Sequence, residues 1–115
     1  MTAIIKTVDL ELGMPTVPQA HARLASALGD ARERGVTVLK LIHGYGSSGA
    51  GGDLRIALQA TLQQMAQRGE IQCCIYGEDW RKSDEQAWKL VKKFPALKTD
   101  RDFGKNNRGI TLVVL

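Results

Sequence analysis

The run Val36-Thr37-Val38-Leu39-Lys40-Leu41-Ile42 is nearly all apolar or β-branched, and it passes at once into a loop with Gly44, Gly46, Gly49, Gly51 and Gly52 among nine residues. A strand with so little polar alternation is covered on both faces, as in sheets flanked by helices. Beyond the glycines, Leu54, Ala57, Leu58, Leu62 and Met65 recur at helical spacing until Gly69, with Asp53 placed to cap that helix. A buried strand, a glycine loop and a helix in succession demand an open α/β sheet, whose ligands gather at the carboxyl ends of its strands.

The rest of the chain extends this unit. Ile4 to Leu10 is rich in β-branched residues and stops at Gly13-Met14-Pro15, which predicts a strand near residues 3–10. Thr16 then caps a helix in which Val17, Ala20, Leu24, Ala27, Leu28 and Ala31 form the apolar face and Gly35 the stop. His21 falls on the polar side and reads as a surface residue. Ile71 to Tyr76 predicts a third strand and Gly109 to Leu115 a fourth. Between them residues 83–94 have the spacing of a short helix, with Ser83 and Gln86 in capping-box order, halted by Pro95 and followed by a polar loop to Arg108. The expected fold is α/β, a small two-layer βαβαβ(α)β sandwich with a largely parallel four-stranded sheet. We expect one domain over residues 1–115, with an inserted helix and loop at about 78–108.

Composition narrows the function. Hydrophobic residues make up 43% and charged residues 24% of the 115 residues, the usage of a globular protein. No stretch reaches the roughly 20 apolar residues that span a bilayer, and Met1 to Leu12 lacks the pattern of a secretory leader, so the expectation is a cytoplasmic protein with no membrane partner. The only cysteines, Cys73 and Cys74, are adjacent in an apolar run, which suits a strand and not a metal site. Of the net charge of +4, residues 78–108 contribute nine basic against six acidic groups. That excess favours an anionic partner, DNA or RNA.

The loop His43-Gly44-Tyr45-Gly46-Ser47-Ser48-Gly49 lies where backbone N–H groups and a helix N-terminus converge, a setting made for an anion such as phosphate. It satisfies G-x-G-x-x-G, but a dinucleotide fold needs an acidic residue at the tip of the next strand, whereas here that strand starts after Glu70 and ends near Glu78, and too little chain remains for a second half-fold. A P-loop is excluded because Gly51-Gly52-Asp53 has no lysine. A plain flexible turn remains as the alternative.

Gly44, Tyr45, Gly46, Ser47 and Gly49, with His43, Arg55 and Lys40, are the candidate phosphate contacts, and Arg81, Lys82, Lys105 and Arg108 are placed to track neighbouring phosphates. Tyr45 suits stacking on an unpaired base, worth roughly 1 to 3 kcal/mol, or packing as a lid. Asp9, Glu11 and His43 leave the ends of the first two strands. They suit a catalytic set in which His43 is general acid or base and the carboxylates orient water or hold a divalent cation, Mg or Mn. The alternatives are carboxylates that cap the next turn and a histidine that holds its own loop. No other cofactor is expected. Trp80 and Trp88 suit anchors that hold the excursion on the sheet, covering an edge. Lys89, Lys92 and Lys93 beside Trp88 suit either a solvated face or a nucleic-acid contact.

Leu41-Ile42-His43-Gly44-Tyr45-Gly46, the glycine run, Asp53-Leu54-Arg55 and the closing Gly109 to Leu115 resemble the Smr (small MutS-related) domain family, over residues 8–77 and 109–115. The resemblance implies a fold similar to the C-terminal domain of a bacterial translation initiation factor, and binding to DNA or RNA. It also implies a choice between two activities, since some members nick or cleave nucleic acid and others bind without cutting. Many such domains open with D-L-H-G, whereas this chain has Asp9-Leu10-Glu11-Leu12-Gly13, with Glu11 where the first histidine stands. That departure favours a noncatalytic module over a structure-selective nuclease. A binder of small phosphorylated ligands is the third reading.

Overall fold

Thr16 closes a full capping box: its hydroxyl accepts from the Gln19 N–H and the Gln19 side chain accepts from the Thr16 N–H, launching helix α1, Val17–Glu33. The computed structural model describes residues 4–44 and 50–115. Its other elements are strands β1 (Ile5–Asp9), β2 (Val38–Ile42), β3 (Cys73–Tyr76) and β4 (Ile110–Val114), and helices α2 (Ala50–Gln67) and α3 (Glu85–Lys93). Short 3-10 turns occupy Gly77–Asp79 and Pro95–Thr99. Among the described residues, no helix is long and apolar enough to cross a membrane.

Two local expectations need correction. Asp53 lies inside the first turn of α2, which begins at Ala50. For α3 the cap is Asp84, not Ser83: the Asp84 carboxylate accepts from the Ala87 N–H at 2.9 Å, and a charged acceptor suits the positive end of a helix better than a hydroxyl.

The sheet order is β1-β2-β4-β3. β1 pairs parallel with β2, whereas β4 runs antiparallel to both β2 and β3, so β1, β2 and β3 point the same way. Residues 77–109 leave the carboxyl end of β3 and return to that same end. The last strand therefore enters beside β3 as the second arm of an expanded hairpin. Gly77 marks the closure. A Cβ there would lie 1.7 Å from the Asn107 carbonyl oxygen, so only glycine lets the two ends of the excursion touch. Gly77→Ala should lower stability by about 1 to 3 kcal/mol, the cost of forcing atoms into a packed site, measured by urea unfolding.

Strand alternation sends Leu39, Leu41 and Val113 to one face, where Ala20, Leu24 and Leu28 of α1 and Leu54, Leu58 and Leu62 of α2 cover them. This is the two-layer sandwich. Val38, Ile75, Ile110 and Leu112 face the other way and meet Trp80, Ala87, Leu90, Val91 and Leu97 of the excursion. The excursion thus adds a third layer over a whole face, not over an edge, which corrects the reading of its tryptophans. Trp80 is fully buried against Phe103, with ring centroids 4.8 Å apart. Cys74 joins the first cluster and Cys73 the second, as adjacent residues of one strand must. His21 is not a plain surface residue: its Nε2–H donates to the Thr61 hydroxyl of α2 at 3.0 Å, and that hydroxyl donates to the Ala57 carbonyl.

Candidate functional site

Three parallel strands bring Asp9, Ile42 and Tyr76 to one edge of the sheet, and the start of β4 joins them there. The turn after β1 is fixed by its own groups. The Asp9 carboxylate accepts from the N–H groups of Glu11 at 2.9 Å and Leu12 at 3.1 Å, and Arg23 of α1 donates to the carbonyls of Leu10 and Leu12. Asp9 therefore performs the turn-capping role that the sequence left open.

Glu11 continues from that turn to lie against Gly44. A Cβ on Gly44 would sit 1.6 Å from Glu11 Oε2, and the backbone there has φ +74°, so glycine is required by space and by conformation. Both His43 and Gly44 donate their backbone N–H to the Gly109 carbonyl, at 2.9 and 3.1 Å. The loop leaves β2 under firm control from β4.

His43 is 0% exposed. Its Nδ1 lies 2.6 Å from the Gly44 carbonyl, which can only accept, so Nδ1 carries the hydrogen. Nε2 then accepts from the Thr111 hydroxyl at 2.9 Å. Burial pushes the imidazole below the usual histidine range; the Gly44 carbonyl pulls it partly back, Arg55 lowers it, and Glu78 and Glu11 raise it. A neutral ring with both nitrogens engaged has no lone pair left for proton transfer. The catalytic set of Asp9, Glu11 and His43 is brought to one end of the sheet, but only Glu11 presents an exposed carboxylate that is not committed to a turn.

Arg55, in the second turn of α2, reaches across to the Glu78 carboxylate just beyond β3, each side chain 25% exposed. Its Nε and Glu78 Oε1 are buried and have no hydrogen-bond partner. Lys40 is elsewhere. It projects to the opposite face, 4% exposed, and its ammonium is held by Asp100 at 3.0 Å and by Asp102. Lys40 is thus removed from the candidate phosphate contacts: a cation so placed is committed to its carboxylates. Tyr45, Gly46, Ser47 and Gly49 lie outside the described residues.

Glu78, Thr111 and Gly109 are the site residues that sequence reasoning missed. Thr111 had a signal, as the only polar side chain in an aliphatic closing strand. A lysine inside an apolar strand likewise called for acids elsewhere, and Asp100 and Asp102 answer it. Among the described residues, no three of His, Cys, Asp and Glu are grouped to hold a metal ion.

The family model for the Smr domain matches residues 9–76, which contain Asp9, Glu11, His43, Gly44 and Arg55 and stop just short of the excursion. Among solved structures, the chain is similar to the Smr domain of Thermus thermophilus MutS2, with a TM-score of 0.57, 25% identity and 96% of each chain covered. No curated protein sequence matches it. With more than half of its length matched by the family model, the chain belongs to the Smr domain family.

Proposed function

We propose that this chain is a noncatalytic nucleic-acid-binding module that grips a backbone phosphate of DNA or RNA where the glycine loop leaves β2. Smr domains are a family associated with nucleic-acid binding and nicking. The observation that carries the reading is Arg55. Its side chain, 25% exposed, stands at the start of α2 beside the strand ends and is engaged by Glu78 through Nη2. Glu78 orients the fork, and the Nη N–H groups that Glu78 does not take would meet a phosphate oxygen alongside the loop amides. The buried, fully engaged His43 supports binding without cutting, since it shapes the start of the loop and has no nitrogen to offer a substrate.

The test is binding and cleavage of labelled single-stranded, duplex and branched DNA and RNA across a salt series, with and without magnesium or manganese. Wild type should bind with an affinity that falls as salt rises and leave the strands intact. Arg55→Ala should weaken binding by about tenfold to a hundredfold, the value of a hydrogen bond to a charged group. Salt-insensitive binding of a mononucleotide alone would instead indicate a small phosphorylated ligand. One observation favours nuclease activity: the exposed Glu11 carboxylate lies directly on Gly44. Scission that needs a divalent cation and is lost in Glu11→Gln would establish that activity in place of the module.

A further inference from the structure

At the strand ends two guanidiniums, Arg55 held by Glu78 and Arg23 held by the Leu10 and Leu12 carbonyls, stand among the carboxylates of Asp9, Glu11 and Glu78. That balance cannot hold a polyanion by itself. The cations lie next door, on the loop that returns the excursion to β4. Arg101, Lys105 and Arg108 are all exposed, and none of them is paired with a carboxylate among the described residues.

This loop is rigidly tied to the site. Lys40 holds Asp100 and Asp102 from below, and Trp80 Nε1 donates to Asp100 at 3.0 Å. Asp102 accepts from the Asn107 amide at 2.9 Å, and Asn107 Oδ1 accepts from the Gly109 N–H at 2.9 Å. The carbonyl of that same Gly109 receives the His43 and Gly44 N–H groups. One hydrogen-bonded chain therefore runs from the buried lysine through the basic loop to the first residues of the glycine loop. A buried ion cluster is a poor way to gain stability over apolar residues of the same size, but it fixes the geometry of what it holds.

The loop also borders a groove. A cavity of about 370 Å³ is walled by Thr7 and Ile42 on the sheet side and Arg101 on the loop side, with Asp100 and Asp102, both held by Lys40, also in its lining. A second, of about 510 Å³, is lined by Lys105, Asn106 and Arg108, and the two share Asp102 and Asn107 as walls. We infer that the bound nucleic-acid strand continues from the glycine loop past Gly109 into this groove, its phosphates neutralised by Arg108, Lys105 and Arg101. This extends the site of the preceding section and rests on that reading. The three cations supply the salt-dependent part of the affinity, and the Lys40 cluster holds them in register with the loop.

Two triple variants of the full chain separate this path from a general effect of net charge. Arg101→Ala/Lys105→Ala/Arg108→Ala removes the loop cations. Lys89→Ala/Lys92→Ala/Lys93→Ala removes as many from the exposed side of α3. All six side chains are exposed, so both variants should unfold at the wild-type midpoint. For a labelled single strand of about 20 nucleotides, the loop variant should bind at least about tenfold more weakly at about 100 mM salt, with the slope of log affinity against log salt reduced by about 2. The α3 variant should change both far less. Equal losses in the two variants, or an unchanged slope in the loop variant while Arg55→Ala still weakens binding, would overturn the path and leave the glycine-loop reading standing. A wild type that binds no oligonucleotide would remove both.

Discussion

Lys40→Met should lower the free energy of unfolding by about 3 to 5 kcal/mol, read from urea midpoints at neutral pH. Methionine matches the length of the lysine stem, so packing between β1 and β4 changes little. What is lost is the ammonium between Asp100 and Asp102, whose side chains are 19% and 11% exposed. In the wild type burial alone would raise the Asp102 carboxyl, but the Asn107 amide and the Lys40 ammonium outweigh it and hold the group below its ordinary value. Without the ammonium, two neighbouring carboxylates share a poorly hydrated site, and at least one takes up a proton more readily when folded than when unfolded. The variant is then least stable at neutral pH and recovers as pH falls. Asp102→Asn added to Lys40→Met should recover part of the loss by removing one of the two stranded charges. A Lys40→Met protein within about 1 kcal/mol of wild type would mean that the cluster does not hold the loop.

Lys40 also shows where the sequence stops being legible. Its strand was plain from residue type, and alternation along it assigns Val38, Lys40 and Ile42 to one face. Which layer covers that face is decided by residues 60 positions away, and no local pattern carries that information. The same holds for His43 with Thr111 and for Arg55 with Glu78: each anchor was visible and each partner lay beyond a loop. The cap of α1 and the apolar faces of α1 and α2 were readable because their causes lie within one helix. The strand order was not, because crossover rules govern βαβ units, whereas β4 arrives by a long hairpin detour that no such rule describes. At the site, residue type marked Asp9, Glu11 and His43 as chemically able. It could not show that Asp9 spends its carboxylate on the next turn or that His43 faces inward.

His43→Ala should cost about 3 kcal/mol of stability, because the Thr111 hydroxyl and the Gly44 carbonyl each lose a partner in a buried or half-buried place, at about 1 to 3 kcal/mol apiece. The wild type should carry a pH signature of the same residue. Its imidazole, pushed below the usual range by burial, binds a proton less readily when folded than when unfolded. As pH falls through the ordinary histidine value of 6.5, the unfolded chain gains a proton that the folded chain does not. Stability therefore declines from that point, by at most about 1.4 kcal/mol per pH unit, until the folded value is reached. Above 6.5 this group contributes no slope. Asp30, held low by Lys6 and Arg34, and Asp102 act in a separate window, their contributions being lost only as pH falls from their unfolded value of 3.8. Urea unfolding at half-unit steps from pH 4.5 to 8 covers this window, and His43→Ala should flatten the curve below pH 6.5. A positioning residue predicts more than this loss: His43→Asn or His43→Gln, able to donate and accept, should restore part of the stability and oligonucleotide binding together. If His43 were instead a proton-transfer group, those amides would restore stability and leave strand scission abolished. The two roles thus separate in the same variants, by whether function returns with the fold.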